Sequence, residues 1–225
     1  MTAPLAFEDL PLAGRSRAPF SLALADHQTV AVLGDEESGV DRLGGYALGL
    51  ESPPGGRVRV FETSIADLPL PERLAFRRRV GYLPAGDGLL QNLSLRDNIA
   101  LPLRFGSDAS TREIDGRVAV MVVAVRLESA ADRRPAQANE EECRRAALAR
   151  AVAFDPMLLV LEQPFDGLTA RASAELLEVA RGGETADGAR RTILITGQEL
   201  PTVVQRRCDR VYRLTRAGTL ELETV

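Results

Sequence analysis

A chain of 225 residues, 45% hydrophobic and 27% charged, is long enough for one α/β domain, with or without a small helical insertion, and for a substantial core. Its formal net charge of −4 gives no reason to expect nucleic-acid binding. No run of about eighteen apolar residues occurs, so the chain is not expected to span a membrane. All 28 basic residues are arginine and the single histidine is His27, which excludes chemistry needing a lysine or a late histidine. The opening MTAPLAFEDL lacks a basic segment ahead of an apolar one, so no secretory signal is expected. Cys143 and Cys208 have no metal-like spacing and read as reduced, cytosolic thiols.

In chain order, residues 4–8 and 20–24 predict two short strands joined by the turn-rich PLAGRSRAP. His27 reads as an exposed turn residue. Gln28 to Leu33 predicts a better strand, and the glycine-spaced loop Gly34–Asp41 and a helix through about Leu50 follow it. A strand, a loop of this length and a helix are the architecture of a phosphate-binding P-loop, whose pattern is Gly, four residues, Gly, Lys, Ser/Thr. Both glycines are present, as Gly34 and Gly39 with Ser38 between them, but the lysine position is Val40 and the hydroxyl position Asp41. Valine offers phosphate no donor, and Asp35, Glu36, Glu37 and Asp41 bring four carboxylates. At a separation near 4 Å each like-charge contact costs about 1 kcal/mol in water and several times more when desolvated. A helix N-terminus favours an anion by about 1–2 kcal/mol at best, so phosphate binding is expected to be lost. Arg42 is the only cation nearby in sequence.

Residues 51–60 predict a turn and a short strand, Leu70–Arg79 a helix with Pro71 near its start, and Val80–Leu83 a strand. Ser94 is placed to cap a following helix, with Asp97 at the capping-box position. Gly106–Thr111 predicts a loop, and Arg112–Leu127 a helix with Ile114, Val118, Met121, Val122 and Val125 on its apolar face. Good helix formers from Arg144 to about Phe154 stop at Asp155-Pro156. Arg144 and Arg145 read as a solvated helix face. Met157–Leu161 is a continuous apolar run, expected to be a strand buried on both faces of a parallel sheet. It ends at Glu162-Gln163-Pro164, where open α/β sheets place their ligands. A helix to about Arg181, a glycine-rich loop at 182–188, a strand at 192–196, a helix from Pro201 and a closing hairpin at 209–222 complete the chain.

The segment RRAALARAVAFDPMLLVLEQPFDGL resembles the signature helix, Walker B strand and D-loop of ATP-binding-cassette (ABC) transporter ATPases. It is similar in particular to the ATPase subunits of bacterial lipid transporters of the Mla/MCE type. The resemblance implies the ABC-ATPase fold: a P-loop-type, mostly parallel α/β core, an antiparallel β subdomain and a helical subdomain at about 88–153, in a single domain over 1–225. It also implies where chemistry should sit. The family's LSGG positions are Ala138-Asn139-Glu140-Glu141, its magnesium-binding Asp and general-base Glu are Glu162 and Gln163, and its D-loop Asp is Thr169. The stretch after Val80–Leu83 has Pro84-Ala85-Gly86-Asp87 where the family has a glutamine, and Thr196-Gly197-Gln198-Glu199 lacks the family's histidine. The segment from Leu89 to Leu103 resembles the groove where the permease docks, with Leu93, Leu95 and Asn98 as candidate contacts.

The resemblance therefore implies a pseudo-ATPase. Such a subunit would bind no cofactor or metal and would be kept for dimerisation, homo- or hetero-, with another ABC ATPase. It would dock on a transmembrane permease, lipid transport being one form, on the cytoplasmic face of a bacterial cell membrane. Two alternatives stand beside it. One is an ABC ATPase using ATP and magnesium through unusual residues, with Glu162 as metal ligand and Gln163 positioning water. The other is an interaction module without a permease.

Overall fold

The computed structural model describes residues 3–11, 18–182 and 191–223. Most of the expected PLAGRSRAP turn, at 12–17, and of the glycine-rich loop, at 183–188, lies outside the described residues. The described strands are β1 (Leu5–Leu10), β2 (Phe20–Leu24), β3 (Thr29–Leu33), β4 (Arg57–Val60), β5 (Val80–Leu83), β6 (Leu158–Glu162), β7 (Thr192–Gly197), β8 (Arg210–Leu214) and β9 (Leu220–Leu222). The helices are α1 (Leu43–Ala47), α2 (Leu70–Arg77), α3 (Leu95–Gly106), α4 (Thr111–Ala124), α5 (Glu140–Ala151), α6 (Ala170–Arg181) and α7 (Thr202–Gln205).

The main sheet runs β5-β6-β7-β3-β8-β9, parallel from β5 through β8, with β9 antiparallel at the edge. A smaller antiparallel sheet has the order β2-β1-β4. Parallel neighbours cannot be joined by tight turns, so helices must cross over and cover the sheet on both faces. Every residue of β3, β6 and β7 is accordingly buried.

Because side chains alternate along a strand, each central strand feeds two cores. Val30, Val32, Leu158, Val160 and Leu194 pack with α1 and the antiparallel sheet. Ala31, Leu33, Leu159, Leu161, Ile193 and Ile195 pack with α3, α4, α5 and α6. A side chain at Gly81 on β5 would strike the carbonyl of Ala151, so glycine lets α5 lie directly on the sheet.

The helix starts follow from short polar residues in extended conformation. Ser94, Ser110, Asn139 and Thr169 each accept a hydrogen bond from the backbone amide three residues on. The helix expected through about Leu50 is shorter. Two 3₁₀ turns, Glu36–Ser38 and Val40–Arg42, precede α1, which ends at Ala47. Gly44 and Gly45 lower its propensity, and Gly49, at φ 59°, turns the chain away.

Candidate functional site

The carboxyl ends of β3, β7 and β6 lie side by side, tied by Gly34 N–H to Gly197 O (2.9 Å) and Gln163 N–H to Thr196 O (2.7 Å). Glu162 and Gln163 therefore stand at the same sheet edge as the Gly34–Asp41 loop. The loop has the turn its glycines predict, with Gly39 at φ 81°. Ser38 bonds to two of the loop's own backbone groups. The Ser38 hydroxyl, fully buried, donates to Asp35 O (2.6 Å) and accepts from Val40 N–H (3.2 Å). It also occupies the space beside Gly34 that a Cβ would take. Val40 turns inward and joins the core around α1. Asp35, Glu36, Glu37 and Asp41 are exposed.

Arg42 is not the only cation near this loop. Arg216, in the turn between β8 and β9, donates to Asp35 (2.7 Å) and pairs with Glu37 (2.8 Å). Its guanidinium holds the Asp35 carboxyl below the usual carboxylate range. Nothing local in the sequence marks Arg216, because its partner lies 181 positions away.

Glu162 is buried against α1, where a side chain on Gly44 would collide with its carboxylate. Its Oε2 accepts from the Tyr82 hydroxyl (2.9 Å) and from Ala85 N–H (3.2 Å). Burial pushes its carboxyl above the ordinary range; the two donors oppose that shift, and Asp41 and Glu51 reinforce it. Burial and the bond to Glu162 together push the Tyr82 hydroxyl up. Tyr82 has no marker in the sequence beyond its place on β5. The side chain of Gln163, at φ 46°, makes no hydrogen bond with the described residues.

At the start of α5, Asn139 accepts from Glu142 N–H (2.8 Å), and Glu142 accepts from Asn139 N–H (2.9 Å). This capping box occupies two of the amides that a helix N-terminus could offer an anion. The Glu140 carboxylate lies over Gly167 in the loop after β6, and Glu141 pairs with Arg145 (2.7 Å).

Arg144 and Arg145 are not a solvated face: they are 5% and 7% exposed. Arg145 also reaches Glu175 (3.1 Å) and the carbonyl of Val125 (3.1 Å), and Arg144 donates to the carbonyl of Gly86. Arg150 donates to the carbonyls of Asp87 (2.9 Å) and Gly88 (2.8 Å). The loop after β5 is thus held by Glu162 on one side and α5 on the other.

Two of the candidate docking residues lie inside the fold as well. Leu95 and Asn98 are fully buried, and Leu93 is half-buried. Asn98 accepts from Leu90 N–H (2.8 Å) and donates to Leu90 O (3.1 Å) and Ser94 O (2.9 Å), so it shapes the 90–94 loop from within.

A strand–loop–helix at the carboxyl edge of a parallel sheet, with a helical layer and an antiparallel sheet attached, defines a cassette-type P-loop fold. Residues 18–166 match the family described as ABC transporter, and the chain belongs to that family. Among relatives, it is 29% identical to methionine import ATP-binding protein MetN 1 of Pseudomonas putida over 92% of this chain and 61% of that one. It is 30% identical to MetN 2 of Pseudomonas aeruginosa over 90% of this chain and 60% of that one. The chain thus spans about three fifths of the length of these relatives.

Solved structures share the fold. The dimeric bacterial ABC transporter cassette MJ0796 superposes with TM-score 0.83 at 22% identity, covering 98% of this chain and 97% of that one. CbiO1 from Clostridium perfringens, part of the cbiONQ transporter complex, gives 0.80 at 18% identity, covering 100% of this chain and 88% of that one.

The residues present do not fit magnesium triphosphate. The lysine position is an apolar core residue, the hydroxyl position is the carboxylate Asp41, and the carboxylate at the metal position is bonded to Tyr82 and Ala85. The exposed rim is acidic, and its cation, Arg216, is engaged with Asp35 and Glu37.

Proposed function

We propose that this chain is a pseudo-ATPase: an ABC-type subunit kept for assembly within a membrane transport complex, without turnover of ATP. The observation that carries the reading is the loop itself, in which apolar Val40 stands at the lysine position, Ser38 bonds to Asp35 O and Val40 N–H, and Arg216 pairs with Asp35 and Glu37. Phosphoryl transfer depends on positioned cations and dipoles around the phosphates. Here Gly34, Ser38, Gly39, Val40 and Asp41 supply a turn and a charge of the wrong sign. Glu162 acts as a brace between β5 and β6 and Gln163 as no base. Asn139, Glu140 and Glu141 form a helix start in place of a phosphate clamp.

In this reading residues 1–225 form one cassette domain, with the helical subdomain at about 88–153. It pairs with a second cassette, identical or not, and docks on a transmembrane permease at the cytoplasmic face of a bacterial membrane. Neither cofactor nor metal is required. The motif resemblance favours a lipid cargo of the Mla/MCE kind, whereas the curated relatives are named for methionine import. Those relatives are also named ATP-binding, which favours the second reading, a cassette binding ATP through Glu162 and Gln163. Calorimetric titration of the full chain with ATP and magnesium separates the two. No heat of binding at millimolar nucleotide is expected; saturable binding that requires magnesium and is lost in Glu162→Ala would refute the pseudo-ATPase.

A further inference from the structure

α4 buries Ile114, Val118 and Val122 but leaves Val120 and Val123 70% and 58% exposed. Beside Val120 a groove of about 520 Å³ runs between α4, the residues just past α5 and the end of α6. Val120, Met121, Ala124, Val152 and Val179 make its walls. That volume falls in the range of small-molecule sites, which are mostly apolar with a few polar groups to fix orientation. The groove shares no residue with the Gly34–Asp41 loop, nor with Glu162 or Gln163.

The polar groups of the groove are unequally satisfied. Its charged residues are Arg117, Asp155, Glu178 and Arg191. Both carboxylates are already answered: Asp155 pairs with Arg191, and Glu178 with Arg181 (3.7 Å) and Arg207 (3.4 Å). Arg191 also donates to the carbonyls of Val179 (3.4 Å) and Ala180 (3.3 Å), and its buried Nε has no partner. The Arg117 side chain makes no hydrogen bond or ion pair with the described residues. Glu113, one turn before it on α4, is folded back onto the Ser110 amide (2.8 Å) and hydroxyl (2.6 Å). Asp115 is two residues from Arg117, a spacing that sets the two on different faces of the helix. Arg117, Arg181, Arg191 and Arg207 thus stand at or beside the groove against Asp155 and Glu178, and what is left unsatisfied is donor capacity.

We infer that this groove binds a small amphipathic anion, an aliphatic carboxylate whose tail lies along Val120, Met121, Val152 and Val179 and whose head pairs with Arg117. The excess of guanidinium over carboxylate selects an anion, and the planar fork of an arginine receives a carboxylate through two parallel bonds. The walls select a tail, because a bare inorganic anion would leave them in water and gain nothing from their burial. A cationic amphiphile would find the same walls but no free acceptor, since Asp155 and Glu178 are held by arginines. The inference goes beyond the assembly reading and does not depend on it; the nucleotide titration tests that reading separately.

The test titrates the full chain by calorimetry with dodecanoate and with dodecyltrimethylammonium, which carries the same tail, each below its critical micelle concentration. Saturable binding of dodecanoate at one site is expected, about tenfold or more tighter than the cation, with the preference shrinking as salt rises. Octanoate should bind more weakly, because its tail covers less of the walls. Arg117→Glu, at an exposed side chain the fold does not use, is expected to erase the preference while leaving the melting temperature of the free chain unchanged; Arg117→Lys should restore part of it. Val120→Asp should weaken both ligands. Dodecanoate should raise the melting temperature, as a ligand of the folded state does. Equal affinity for the two amphiphiles, a preference undisturbed in Arg117→Glu, or a melting temperature lowered by dodecanoate overturns the inference. So does Val120-dependent self-association in analytical ultracentrifugation without amphiphile, which would assign the face to a second copy.

Discussion

Replacing Glu162 by glutamine and by alanine separates a structural carboxylate from a metal ligand. Oε2 receives two donors, the Tyr82 hydroxyl and Ala85 N–H. A glutamine oxygen can accept both, so Glu162→Gln should keep the brace and change stability by less than about 1 kcal/mol near neutral pH. Alanine leaves the half-buried Tyr82 hydroxyl without its acceptor, at about 1–3 kcal/mol. Ala85 is exposed and its amide can turn to water. Adding the small cavity, Glu162→Ala should cost about 2–3 kcal/mol, or roughly 4–10 °C in a domain of this size.

The pH dependence has a definite sign. Burial raises the carboxyl in the folded chain, so the native state holds its proton more tightly than the unfolded one. The resulting stability is fully present below the unfolded value and is lost as pH rises through the folded one. The glutamine variant lacks this loss, so its stability relative to the natural chain should improve from pH 4 towards neutrality. Urea denaturation at a series of pH values measures it. The reasoning fails if Gln is as damaging as Ala, or if magnesium and ATP raise the melting temperature of the natural chain and not of Glu162→Gln.

Two further outcomes follow from the buried and exposed ion pairs. Arg145→Met should destabilise by about 2–3 kcal/mol in urea denaturation. That is less than a fully buried pair would lose, because Glu141 and Glu175 regain water. Arg216→Ala should leave global stability nearly unchanged in urea denaturation, since exposed pairs contribute little, yet speed amide hydrogen exchange across residues 35–40. Unchanged exchange there would show that the loop holds its form without Arg216.

Much of the architecture was legible because it is encoded locally. The unbroken apolar runs Val30–Leu33 and Met157–Leu161 mark strands buried on both faces, and Asp155-Pro156 marks the point past which α5, which ends at Ala151, cannot run. Asn139, Ser94 and Thr169 cap helices because a short polar side chain reaches only the nearest amides. The exchange of Lys for Val40 and of Asp for Glu162 is likewise visible without coordinates, since a motif's chemistry is carried by residue type at fixed spacing.

Tertiary structure decided the rest, for one physical reason: a helical or loop pattern states which residues share a face, not what covers that face. Arg144 and Arg145 look like solvent residues in RRAALARA, but the end of α4, α6 and the loop after β5 close over them. Asn98 looks like a surface contact until its amide is found holding the 90–94 loop. The counter-ion of the acidic loop arrives from a hairpin at the far end of the chain.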